Sequence, residues 1–121
     1  MEKKRILIVD DDPRNIFALQ ATLKSGGYPC ASCNSAAEAL LILQSGQPFE
    51  VVLLDMMMPE IDGYEAIPLI RNLPGGRDLS IVAVTAQAMK GDRQKCLDAG
   101  ADEYISKPVD VDRLFHIIEN S

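Results

Sequence analysis

Three aspartates, Asp10, Asp11 and Asp12, follow the apolar run Ile6–Val9, and a single one, Asp55, follows Val51–Leu54. Thr85 ends the run "IVAVT", and Lys107 and Pro108 follow "YIS". Isolated buried charge is costly, so an apolar strand ending on one needs a reason. Taken alone, Asp55 is explained as a cap or a loop residue, the common fate of aspartate. Several carboxylates brought together behave differently. Two of them about 4 Å apart repel by roughly 4 kcal/mol at an effective dielectric of 20, so cations must compensate. Lys107 offers one fixed charge. A hard divalent ion suits the rest, and carboxylate oxygens with retained water are what Mg²⁺ prefers. With no histidine or cysteine at these positions, zinc and copper are poor candidates. A carboxylate, Mg²⁺, a lysine and a hydroxyl together suit phosphoryl transfer. Asp55 would attack phosphorus and become an acyl phosphate, while Lys107 and Thr85 hold its oxygens.

Such chemistry requires a fold that gathers these strand ends. Short apolar runs at 6–9 (β1), 28–33 (β2), 51–54 (β3), 81–84 (β4) and 101–105 (β5) alternate with helical segments. The helices are expected at 13–25 (α1), 35–45 (α2), 63–73 (α3), 87–99 (α4) and 110–119 (α5). In α5, Val111, Leu114, Phe115 and Ile118 repeat at i, i+3, i+4 and i+7, with Asp110 at the cap position and His116 off the stripe. Gly26-Gly27, Gly46, Gly75-Gly76 and Gly100 each follow a helical stretch, as C-caps do. Pro68 sits inside α3, where a kink or a late helix start is expected. Five strand–helix pairs with apolar strands imply an α/β protein, a (βα)5 doubly wound, flavodoxin-like sheet of order 2-1-3-4-5 with helices on both faces. In that fold the site lies at the carboxyl ends of the strands, beside the switch point between β1 and β3. Asp10, Asp11 and Asp12, Asp55, Thr85 and Lys107 all fall on that edge, so at least two carboxylates from β1 meet the one from β3.

The chain has 121 residues, 47% of them hydrophobic and 25% charged, which suits one globular domain with a real core. A net charge of -6 and a pI near 4.6 argue against nucleic-acid binding. No stretch is apolar for long enough to serve as a signal or a membrane span, so a cytoplasmic location is expected. Three cysteines do not suit a secreted disulfide framework. Cys30 and Cys33 form a C-x-x-C, but on a strand these positions face opposite ways. The next helix opens at Ser35, whose capping box with Glu38 leaves both cysteines outside it. Burial as small apolar residues accounts for them better than redox or metal binding.

In combination and order, "VDDD", "LLDMMMPEIDG", "AVTA" and "YISKP" resemble the response-regulator receiver domain, the CheY-like family of two-component signalling, over essentially the whole chain. The resemblance implies that Asp11 binds Mg²⁺ directly, that Asp10 assists, and that the Met57 backbone carbonyl is a further ligand. Asp55 is then the phosphorylated residue, with Thr85 and Lys107 on the phosphoryl oxygens. Asp12 is expected to be peripheral, and the Lys107–Pro108 bond to be cis. Signalling in that family is a population shift. Thr85 moves toward the phosphoryl group, Tyr104 turns inward, and the α4–β5–α5 face is the output surface toward a downstream protein. The resemblance is greatest to receivers of hybrid histidine kinases and phosphorelays, which implies a histidine kinase or histidine phosphotransfer protein as partner. It also implies a signalling phosphoacceptor that assists its own phosphorylation and dephosphorylation, rather than an enzyme. Met57 and Gln87 occupy positions that tune phosphoryl lifetime in the family, and a slow hydrolysis is expected. A single receiver domain over 1–121 with no effector domain, monomeric or weakly dimeric, completes the expectation.

Other readings compete. A phosphatase of the haloacid-dehalogenase type would use Asp10 as nucleophile and Asp12 as acid, but it leaves Asp55 unexplained and needs a longer chain. A degenerate receiver would lack some of the five polar residues found here. A flavodoxin-like carrier would not place three aspartates where a phosphate must bind.

Overall fold

The computed structural model describes residues 3–86 and 91–121. The strands are β1 Ile6–Val9, β2 Cys30–Cys33, β3 Val51–Asp55, β4 Ser80–Thr85 and β5 Glu103–Ser106. The helices are α1 Pro13–Ser25, α2 Ala36–Gln44, α3 Gly63–Arg71, α4 Asp92–Ala99 and α5 Val111–Glu119. Every strand pair is parallel, and the order is β2-β1-β3-β4-β5, the doubly wound sheet expected from the alternation.

Strand alternation splits the core in two. Ile6, Ile8, Val51, Leu53, Val82 and Val84 pack with Leu19 and Leu23 of α1 and Leu114 and Ile118 of α5. Leu7, Val9, Val52, Leu54, Ile81 and Ala83 pack on the other side with Ala39 of α2 and Ala66, Ile67 and Ile70 of α3. Burial on both faces is why the central strands read as unbroken apolar runs. Cys30 borders the first cluster and Cys33 lies in the second, so the C-x-x-C straddles the sheet. All three cysteines are free, and burial pushes the Cys33 thiol up to about 11, where it is unreactive. Among the described residues, no helix is long and apolar enough to cross a membrane.

Helix starts follow their caps. Asp12, Ser35, Asp62 and Asp110 each accept a backbone N–H from the first turn of α1, α2, α3 and α5. Several boundaries depart from expectation. β2 begins at Cys30, because Tyr28 turns into the core against Phe115 with ring centroids 5.5 Å apart. β5 begins at Glu103 rather than 101, because the Ala101 N–H is taken by the Cys96 carbonyl in closing α4. α4 is described from Asp92, and 87–90 of its expected span lie outside the described residues. α3 stops at Arg71 with Asn72 as its cap, so Gly75-Gly76 do not end it but lead into a short 3-10 turn, Gly76–Asp78. Pro68 neither delays nor ends α3, which opens at Gly63 and runs through it. In α5 the buried stripe is Leu114, Ile117 and Ile118, whereas Val111, the first residue, is exposed.

Candidate metal and phosphoryl site

The register of β1 on β3 pairs Val9 with Leu54, so the next residues, Asp10 and Asp55, emerge side by side at the carboxyl edge. Asp10 is 2% exposed and Asp55 5%, whereas Asp11 is exposed. One carboxylate oxygen from each of Asp10, Asp11 and Asp55 lies within 4.8 Å of the other two. Lys107 Nζ reaches across from the β5 edge, 3.3 Å from Asp10 Oδ2 and 3.8 Å from Asp55 Oδ2. Thr85, also buried, ends β4, and its carbonyl accepts the Lys107 N–H at 2.8 Å. That bond fixes where the lysine leaves the sheet. The Lys107–Pro108 peptide is cis.

Backbone amides hold both buried carboxylates. The Asp12 N–H donates to Asp10 Oδ1 at 2.9 Å, and the Met57 N–H donates to Asp55 Oδ1 at 3.0 Å. Burial raises the Asp55 carboxyl above its ordinary 3.8, and the charges of Asp10 and Asp11 push the same way. The Met57 amide and Lys107 oppose them without prevailing. Three carboxylates against one lysine leave the site, among the described residues, with excess negative charge that a bound cation would relieve. Its donor set is hard oxygen throughout. Two of the three carboxylates are already oriented, as an oxygen-seeking divalent ion requires. These residues fit Mg²⁺.

Asp12 is not part of this cluster. Its side chain caps α1, accepting the Arg14 N–H at 2.9 Å and pairing with the guanidinium at 3.3 Å. The hydrogen bond from the Arg14 side chain holds its carboxyl below the usual range. Tyr104 stands half-buried on β5 at the margin of the core, and its carbonyl accepts a bond from Arg113 at 2.8 Å, tying β5 to α5. Of three consecutive methionines, Met56 and Met58 are buried and Met57 is 50% exposed beside the acids. Gln87 lies outside the described residues. Sequence reasoning missed the cap of α3, where Asp62 and Glu65 form a reciprocal capping box; the signature D-x-x-E was there to be read.

Comparison with known proteins agrees with this geometry. The family model for the response regulator receiver domain matches residues 6–119. The chain belongs to the response-regulator receiver family. It is a receiver domain of the kind used in two-component and phosphorelay signalling, in a family of signalling phosphoacceptors. The sensor histidine kinase RcsC of Salmonella typhi is 43% identical over 109 residues, which are 90% of this chain but only 11% of the kinase. The receiver domain of sensor histidine kinase PA1611 from Pseudomonas aeruginosa superposes with a TM-score of 0.88 at 35% identity, covering 98% of this chain and 96% of that one. That structure has a magnesium ion coordinated in its active-site cleft. The receiver domain of Ssk1 from Saccharomyces cerevisiae, crystallised with the histidine phosphotransfer protein Ypd1, superposes with a TM-score of 0.87 at 27% identity, over 97% of this chain and 87% of that one.

Proposed function

We propose that Asp55 accepts a phosphoryl group from a phosphohistidine on a histidine kinase or histidine phosphotransfer protein. The observation that carries the reading is the cluster of Asp10, Asp11 and Asp55, with Lys107 bridging two of its members. A carboxylate oxygen of Asp55 attacks phosphorus, the P–N bond to imidazole breaks, and the ring nitrogen takes up a proton. Lys107 and the Thr85 hydroxyl hold the phosphoryl oxygens as charge spreads over them. Asp10, Asp11, Asp55 and the Met57 carbonyl hold Mg²⁺, which when bound neutralises carboxylate and phosphoryl charge. Support for the ion comes from the all-oxygen donor set here and from its presence in the PA1611 receiver. The complex of Ypd1 with the Ssk1 receiver supports the class of partner.

Phosphorylation then shifts the domain between two states. Thr85 draws toward the phosphoryl group, Tyr104 turns inward, and the α4–β5–α5 face changes toward a downstream protein. The Arg113 bond to the Tyr104 carbonyl supplies a link from β5 to α5 for that change. This role belongs in the cytoplasm with the kinase's catalytic parts.

The test is intact mass after incubation with acetyl phosphate and Mg²⁺. One added phosphoryl group, dependent on Mg²⁺ and missing in Asp55→Asn, is the expected result. An adduct that persists in Asp55→Asn but disappears in Asp10→Asn would transfer the nucleophile to Asp10 and support the phosphatase reading instead.

A further inference from the structure

The segment between Asp55 and α3 is seated by one close contact. Gly63, the first residue of α3, is buried, and its N–H donates to the Met56 carbonyl at 3.2 Å. A Cβ placed on Gly63 would stand 2.7 Å from Met56 Cα and would also strike Met56 Sδ. Met56 has little room to yield. Its side chain is fully buried, and its own N–H donates to the Val84 carbonyl of β4 at 3.0 Å. It stands between Asp55 and Met57, whose amide holds the Asp55 carboxylate. Because peptide units are rigid planes, a displacement of Met56 passes to both neighbours.

We infer that Gly63 is a positioning residue for the phosphoacceptor. Lacking a side chain, it lets the start of α3 rest on Met56 and so sets the Asp55 carboxylate against Asp10 and Asp11. The inference rests on the reading of Asp55 given above. Gly63 is not among the glycines with positive φ, so the backbone does not demand it. Helix propensity alone would favour alanine there. A seat against Met56 makes it worse, so the two explanations predict opposite signs. Nor can α3 slide away from the contact, since the Asp62–Glu65 capping box fixes its start. Glu60, at φ 67, already gives the segment a conformation uncommon for a non-glycine residue.

The experiment is Gly63→Ala in the whole chain. Mg²⁺ affinity is measured by titration calorimetry, the rate of phosphorylation by acetyl phosphate by intact mass, and stability by thermal melting. Arg71→Lys, whose bonds lie at the other edge of the sheet, serves as a variant that loses stability alone. Gly63→Ala is expected to bind Mg²⁺ about tenfold more weakly, because the Met57 amide that orients Asp55 is displaced, and to be phosphorylated more slowly to a similar degree. Arg71→Lys should keep both values. Wild-type affinity and rate in a folded Gly63→Ala would overturn the inference, whichever way its melting temperature moves. If Gly63→Ala does not fold, Asp62→Ala takes its place, because it frees the helix start without adding an atom beside Met56. Mg²⁺ binding weakened severalfold supports the inference, and unchanged binding overturns it. Failure of the wild type itself to bind Mg²⁺ or gain a phosphoryl group brings down the reading of Asp55 instead.

Discussion

The two edges of the sheet handle charge in opposite ways. At the carboxyl edge, Asp10, Asp11 and Asp55 cluster around a lysine that bridges two of them, and burial raises Asp55 above its ordinary range, with the two neighbouring acids adding to it. At the amino edge, Arg71 of α3 donates to the carbonyls of Gly76, Arg77, Leu79 and Gly100 and pairs with Asp102 at 2.9 Å. Asp102 in turn accepts the Ile81 N–H at 2.8 Å. One guanidinium thus satisfies two loops from within the chain. The first edge is left short of positive charge, which a ligand must supply; around Arg71 the second is complete. Stability is concentrated where polar groups are satisfied, and binding where they are not.

Breaking the complete edge should have the largest effect on folding. Arg71→Ala leaves several carbonyls and Asp102 without their donor and is expected to cost about 3 kcal/mol, a fall of roughly 10 °C in melting temperature. Phosphorylation by acetyl phosphate should persist at temperatures where the variant is folded. At the other edge, Asp10→Asn should weaken Mg²⁺ binding by about tenfold or more in a calorimetric titration, with little loss of stability. Asp12→Ala sharpens the boundary of the site. It removes the α1 cap and lowers the melting temperature, while weakening Mg²⁺ binding far less than Asp10→Asn, because the Asp12 amide that holds Asp10 is retained.

The smallest effect concerns Asp55 itself. Its folded carboxyl lies above the ordinary 3.8, so the folded chain binds more protons than the unfolded one between those two values. Stability is therefore lost as pH rises through the folded value, and ionised Asp55 is a burden at neutral pH. Asp55→Asn without Mg²⁺ should melt slightly higher than wild type near pH 7. The gain should vanish below pH 3.8, where the carboxyl is protonated in both states. A lower melting temperature at neutral pH would show Lys107 outweighing burial.

Much of this was legible in the chain because it depends on local pattern. The apolar runs set the strands, Ser35 and Asp110 stand at helix starts, and Asp10, Asp55, Thr85 and Lys107 sit where a parallel sheet must end its strands. A site at strand ends follows from topology, and topology follows from the order of elements. The boundaries that shifted did so through the bonds that close the preceding helices. β5 was shortened by the bond from Ala101 to Cys96, and Gly75-Gly76 were removed from a capping role when α3 ended at Arg71.

The amino-acid sequence by itself determined the alternation of strands and helices, the order in which polar residues meet at one edge, and the oxygen chemistry they offer. These depend on residue type and spacing along the chain. Only the tertiary structure decided that the Asp12 side chain caps a helix, and that Met57 is exposed between two buried methionines. It alone seats Gly63 on Met56 and brings Arg71 to Gly100 and Asp102. Such contacts join segments brought together by packing, and no local periodicity records which side chain the fold will place against which.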